Sequence, residues 1–181
     1  MGANASKVIN GVTFEADPTG ATVGNLSFSG FSSAHNNFLL AASTTAYHQA
    51  LDTGRYGATN PGGVTLNNLV IDNQYLVQLW VLDTRTAQLG RTTNVGDGTA
   101  AAPFVLNNGG VGGTPQWVTG TFTASATTQQ ITLSGFASDG VTGYGPQLNL
   151  LQLRNVPEPT SAALALGTLL AAGGRRRRPV N

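Results

Sequence analysis

The stretch Tyr75–Asp83, YLVQLWVLD, decides the fold. In an extended chain Tyr75, Val77, Leu79 and Val81 fall on one face, and Leu76, Trp80 and Leu82 on the other. A strand that is apolar on both faces belongs at the centre of a sheet covered from both sides. Further strand signals recur on either side of it at spacings of roughly 8–15 residues, separated by turn-rich loops. Val8–Ala16 (VINGVTFEA) reads as a first strand with Val12 and Phe14 on one face, and Thr22–Ser29 as a second with Val23 and Phe28 as apolar members. Phe38–Ala42 is an apolar run open to strand or helix, and Gly63–Leu69, Arg91–Val95 and Phe104–Leu106 read as strands. Trp117–Ala124 alternates, with Val118, Phe122 and Ala124 against Thr119, Thr121 and Thr123. Gln130–Ser134 continues that pattern, which predicts a hairpin across Ser125–Gln129, and Gln147–Val156 closes the domain.

One helix is predicted, within Ser43–Gly54: Ser43 or Thr44 caps it, Tyr47 and Leu51 share a face, and Gly54 stands at the C′ position. At two to three turns it holds only when docked. Eight or nine strands with one short helix predict an all-β, two-sheet β-sandwich, with a jelly roll as the leading topology.

Composition agrees. Charged residues are 9 % of the 181, and there are 24 Gly and no Cys. So few Lys and Glu argue against exposed helices, and the absence of Cys excludes disulfides and thiolate metal sites. The net charge of +1 is unevenly spread. Residues 1–156 hold five basic and seven acidic side chains, net −2, and the remaining residues add four Arg and one Glu. The folded part therefore lacks the basic footprint of a nucleic-acid binder. Met1–Ser6 contains no apolar h-region, yet Ala3-Asn4-Ala5 has the form of a signal-peptidase site. That form fits an export signal upstream of Met1; a chance match of small residues is the plain alternative.

Residues 157–181 read as a separate module. Pro157-Glu158-Pro159 stops any strand, fifteen uncharged residues follow (Thr160–Gly174), and then Arg175, Arg176, Arg177 and Arg178. This order resembles the PEP-CTERM sorting signal of exported bacterial proteins; the resemblance covers only the tail. It implies recognition of Pro157, Glu158 and Pro159 by an exosortase, a membrane cysteine transpeptidase-like enzyme, and retention by Arg175–Arg178. Cleavage would release residues 1–156 to the cell surface or the exopolysaccharide matrix. An Arg cluster beside an apolar helix stays cytoplasmic by the positive-inside rule. Fifteen helical residues span about 22 Å against a hydrocarbon core of roughly 30 Å, so residues 160–178 suit a transient anchor. A permanent single-span anchor is the rival reading.

Catalytic patterns are scarce. His35 and His48 stand apart, neither a G-x-S-x-G elbow nor HExxH occurs, and Gly96-Asp97-Gly98 lacks the ligand series of a calcium loop. Asp17 and Asp72 sit in turn-like settings. No cofactor or metal is expected. The remaining charged and aromatic candidates are Asp52, Arg55 and Tyr56 after the helix, Asp83 and Arg85 at the end of the strongest strand, and Arg91, Asp97 and Tyr144 in loops. The blocks LDTGRYG, YLVQLWVLDTR, GRT and WVTGTFTA resemble a recurrent exported domain of PEP-CTERM proteins, similar to galactose-binding-like jelly rolls. That resemblance implies sugar sites in the loops at one end. Arg and Asp suit charge-assisted hydrogen bonds to a sugar, and a Tyr ring suits stacking. In a chain with so few charges, structural ion pairs among Asp52, Arg55, Asp83, Arg85 and Arg91 are the favoured reading of these residues. Three functions follow in order: a non-enzymatic glycan or exopolysaccharide binder, a structural or adhesive matrix protein without a pocket, and last a hydrolase using Asp52 and Asp83.

In the native host, the intact mass of the exported protein is expected to lack the segment after Pro159. Deleting Pro157–Pro159 is expected to keep the full-length chain in the membrane. Full-length protein in the membrane with either tail would instead mark a plain anchor.

Overall fold

The structure, a computed structural model, describes residues 5–17, 22–35, 38–39, 44–57, 59–99, 102–109 and 113–157. Two hairpins open it, β1 (Lys7–Ile9) with β2 (Val12–Phe14), and β3 (Thr22–Val23) with β4 (Leu26–Ser29). β5 (Phe31–His35) precedes α1 (Ala46–Leu51), followed by β6 (Gly54–Gly57), β7 (Gly62–Leu66) and β8 (Gln74–Val81). A single 3-10 turn at Thr86–Gln88 leads to β9 (Thr92–Gly96), β10 (Phe104–Asn107), β11 (Gln116–Thr123) and β12 (Gln129–Phe136). β13 (Gly143–Tyr144), β14 (Gln147–Leu148) and β15 (Leu150–Val156) complete it.

The protein is a β-sandwich. One antiparallel sheet runs β10-β9-β12-β7-β4-β3, with β13 beside β12. The facing layer consists of β11-β8-β15 and β14-β6-β5. Tyr75, Val77, Leu79 and Val81 of β8 meet Val64, Leu66, Val95, Ile131 and Leu133 of the opposite sheet in the main core. The other face of β8 is buried too. Trp80 and Leu82, with Leu150, form a second core under Phe14, Ala50 and Leu51, with Ile9, Val12 and Tyr47 packed alongside. Phe14 meets Trp80 edge to face at 5.9 Å. The two apolar faces of YLVQLWVLD therefore have two covers: the opposite sheet on one side, and α1 with the β1–β2 hairpin on the other.

Asn149 separates β14 from β15 and is wholly buried. Its Nδ2 donates to Leu51 O (2.6 Å) and Leu82 O (3.1 Å). Its Oδ1 accepts from Leu82 N (2.8 Å) and Gln147 Nε2 (3.0 Å). Two donors and two acceptor sites are thus all used, the full capacity of a side-chain amide. The run Gln147–Val156 changes partner at this residue, from β6 before it to β8 after it.

Several expectations need correction. Val8–Ala16 is a hairpin, because Asn10 and Gly11 both take positive φ (50° and 78°), the requirement of a tight two-residue turn. Thr22–Ser29 is likewise folded back, at Gly24-Asn25. The β11–β12 hairpin does not form. β11 pairs with β8, whereas β12 pairs with β7 and β9 in the other sheet. Backbone bonds from Ala124 N to Asn73 O (2.9 Å) and Leu69 N to Thr127 O (3.0 Å) carry the chain across. The cap of α1 is Thr45, whose hydroxyl accepts from His48 N, and Gly54 opens β6 instead of ending the helix. Residues 40–42 of the apolar run lie outside the described residues.

Asn149→Ala is expected to cost about 3–4 kcal/mol, because it takes the side-chain partner from Leu82 N and Leu51 O in the core, Leu82 O keeping its bond from Gln147. Denaturant unfolding checks this, with the exposed loop substitution Thr128→Ala as the neutral comparison.

Candidate functional site

β6 carries two of the nominated side chains. Arg55 is buried, and its Nε and Nη2 donate to Asp17 Oδ2 and Oδ1, both at 2.6 Å. Its guanidinium also lies 3.9 Å over the Phe28 ring. Asp17 is therefore half of a buried fork-to-fork ion pair, not a turn cap as its ADPTG setting suggests. Asp52 is not the partner of Arg55 in that pair. It caps α1, and its Oδ1 accepts from Leu39 N at 2.8 Å. Asp97 accepts from Thr99 N (2.9 Å) and Thr99 Oγ1 (2.5 Å) in an exposed turn; those bonds, the hydroxyl first, hold its carboxyl below the usual range.

The other five come together. Tyr56, Arg85, Arg91 and Tyr144 line one cleft of about 370 Å³ with Gly57, Gln88, Gly145 and Gln147. Asp83 stands behind it with no exposed surface. Arg85 grips Asp83 through Nε to Oδ1 (2.9 Å) and Nη2 to Oδ2 (2.6 Å), and its pKa rises chiefly through that bond. The Arg85 side chain remains about one-third exposed (31 %), so it presents charge to the cleft.

Arg91 differs from the other two. It has no ion-pair partner among the described residues. Its Nη1 donates to Gln88 Oε1, its Nη2 to Gly145 O at 3.0 Å, and its Nε is buried with no described partner. The guanidinium lies 4.7 Å from the centre of the Tyr144 ring. Burial lowers its pKa; the Asp83 charge opposes that effect and the Arg85 charge adds to it. Among the described residues no acidic side chain lines the cleft.

Backbone proximity shapes the cleft wall. Tyr56 and Gln147 are cross-strand neighbours, and Gly57 N donates to Pro146 O at 2.6 Å. A Cβ at Gly145 would stand 2.0 Å from Gly57 O, and one at Gly57 would stand 2.3 Å from Pro146 Cδ. Only glycine lets these two segments lie so close. Gln88, Gln147, Gly57 and Gly145 were not singled out in the sequence. Their available signal is the pair of Tyr-Gly dipeptides, Tyr56-Gly57 and Tyr144-Gly145, which meet here.

Asp52, Arg55 and Asp97 do not line this cleft. Pro157 follows β15 and is exposed. Glu158, Pro159, Arg175, Arg176, Arg177 and Arg178 lie outside the described residues. Among the described residues no helix is long and apolar enough to cross a membrane, and no cluster of three His, Cys, Asp or Glu side chains is poised for a metal.

No family model and no curated protein matches the sequence. Solved structures do match. The plant receptor-like kinase ANX1 aligns over 87 % of this chain and 46 % of its own, at 11 % identity and a TM-score of 0.54. The chain thus spans less than half the length of that structure. A family 35 carbohydrate-binding module from Clostridium thermocellum aligns over 72 % of this chain and 92 % of its own, at 12 % identity and a TM-score of 0.42. The enzymatically active domain of tailspike protein 4 from bacteriophage CBA120 aligns over 84 % and 22 %, at 12 % identity and a TM-score of 0.40. At such identities the likeness concerns the fold, and the ANX1 alignment carries it.

Asp17→Ala is expected to cost ~3–5 kcal/mol, since it leaves the buried Arg55 charge uncompensated. Asp97→Ala, on the surface, is expected to stay within about 0.5 kcal/mol. Denaturant midpoints of the two variants check the contrast.

Proposed function

We propose that residues 1–156 form an exported, non-catalytic binding module whose cleft at Tyr56, Arg85, Arg91 and Tyr144 takes an anionic glycan. Arg91 carries this reading. Among the described residues it is a part-buried cation without a carboxylate partner and with its Nε unpaired, and it lies against an exposed ring. A guanidinium of that kind is matched by a planar anion such as a uronate carboxylate. Tyr144 is 48 % exposed, so the side of its ring turned away from Arg91 suits stacking on a pyranose. The Gln88 amide at the cleft edge suits hydroxyls. Because Arg85 already neutralises Asp83, the cleft keeps a net positive charge.

The same arrangement favours binding over turnover. Glycoside hydrolysis needs two carboxyl groups facing across a cleft. Asp83 is fully buried against Arg85, and Asp52 is turned to the Leu39 amide. Export, exosortase processing and placement in an exopolysaccharide matrix rest on the order of Pro157–Pro159, the apolar segment and Arg175–Arg178. An acidic exopolysaccharide is the ligand that such a placement brings within reach.

Affinity electrophoresis of the full chain through polygalacturonate and through neutral dextran tests the cleft. Retardation is expected in polygalacturonate alone, weakening as salt rises. Tyr144→Ala and Arg91→Gln are each expected to weaken it at least about tenfold, the scale of one lost charge-assisted contact. Tyr144 is exposed, so its variant keeps the fold and decides the matter if the Arg91 variant is unstable. No retardation in either gel, or retardation unchanged by Tyr144→Ala, contradicts the reading.

A further inference from the structure

We infer that β11 is a self-pairing edge, through which two copies of this chain join into one continuous sheet. β11 spans eight residues and ends the order β11-β8-β15; no described strand pairs with its outer side. Edges of this length are ordinarily blunted by a charge, a proline or a bulge. Gln116–Thr123 contains neither a charge nor a proline, and its pairing with β8 is unbroken from Gln116 to Thr123. The neutrality extends further, since no Asp, Glu, Lys or Arg occurs between Asp97 and Asp139. β10, β11 and β12 all fall within that span.

The sandwich is open along this side. Between β10 and β11, which meet at one end where Asn107 N donates to Gln116 Oε1 (2.6 Å), runs a groove of about 420 Å³, walled largely by Leu79, Val95, Phe104, Val118 and Phe122 and lined also by Asp97. Phe104, which lines it, and Val105 next in the chain are each more than half exposed.

A second copy suits this edge because the strand is self-complementary. A two-fold axis normal to the sheet keeps each face continuous only when paired residues have the same parity, because side chains alternate. Centred on Gly120, the pairing sets Val118 against Phe122 of the partner subunit on the groove face. On the outer face it sets Thr119 against Thr121 of the partner subunit. These aromatic to β-branched and Thr–Thr pairs are among the stabilising cross-strand combinations. With no charge on the strand, identical edges meet without the like-charge repulsion that a two-fold imposes on charged ones. A strand pair alone falls short of the roughly 1,200 Å² of a stable interface, so the exposed Phe104 and Val105 of the adjoining edge supply the rest, and the dimer is reversible.

Two double variants test both the surface and its register, because Thr119 and Thr121 are exposed and their replacement leaves the monomer core intact. Thr119→Lys with Thr121→Lys sets like charges opposite one another twice. Thr119→Lys with Thr121→Glu sets opposite charges together twice. Sedimentation equilibrium of the full chain is expected to give a monomer–dimer equilibrium, with the first variant dissociating at least about tenfold more readily than the second. A wild type that stays monomeric overturns the inference. Equal weakening by both variants overturns it too, as does association unchanged in both, which would come from another surface such as the tail.

Discussion

The arrangement depends on a single buried amide. Asn149 ties the end of α1 through Leu51 O, the end of β8 through both backbone groups of Leu82, and β14 through Gln147. By fixing where the chain leaves β6 for β8, it sets the segment before it, Tyr144-Gly145-Pro146, beside Tyr56-Gly57. The second core, under α1 and the β1–β2 hairpin, lies on the face of β8 that carries Trp80 and Leu82. A fully satisfied polar group inside an apolar core adds specificity beyond its own bond energies, because any other register would leave those groups unpaired. The cleft is thus a consequence of the same contact that joins the two halves of the layer.

Charge is scarce, and its uses differ from place to place. Arg55 and Asp17 neutralise each other inside the fold, and Asp83 is held by Arg85 at the back of the cleft. Arg91 is the departure, bound to neutral oxygens and a ring. Desolvating a cation without a counter-ion is unfavourable, and such costs are characteristic of sites that await a ligand. By contrast, residues 98–138 carry no charge, and they supply two of the terminal strands, β10 and β11. On the proposed reading, one region attracts an anion and another pairs with its own kind.

Much of this was legible in the sequence, and the reasons are physical. YLVQLWVLD announces a doubly covered central strand because period-two alternation is interpretable residue by residue, and both faces were found buried. The alternation of Trp117–Ala124 gave the correct faces but the wrong neighbour, since a short Thr- and Ser-containing connection is equally compatible with a hairpin and with a step between sheets. Asn10-Gly11 was the missed turn signal, although its chemistry is plain. Of the eight nominated domain residues, four line the cleft and Asp83 stands behind it. The pairing of Arg55 with Asp17, 38 positions apart, is a product of the tertiary fold that no local pattern carries. The closeness of Gly57 and Gly145 is of the same kind.

The central claim is that the cleft between the two Tyr-Gly segments is where the molecule meets its ligand. Heteronuclear NMR of the full chain titrated with an oligogalacturonide tests that most directly. The account predicts saturable shifts confined to the Tyr56, Gly57, Tyr144 and Gly145 amides and to the Arg91 Nε–H signal. Shifts centred instead on the groove between β10 and β11, or no shifts at all, would contradict it.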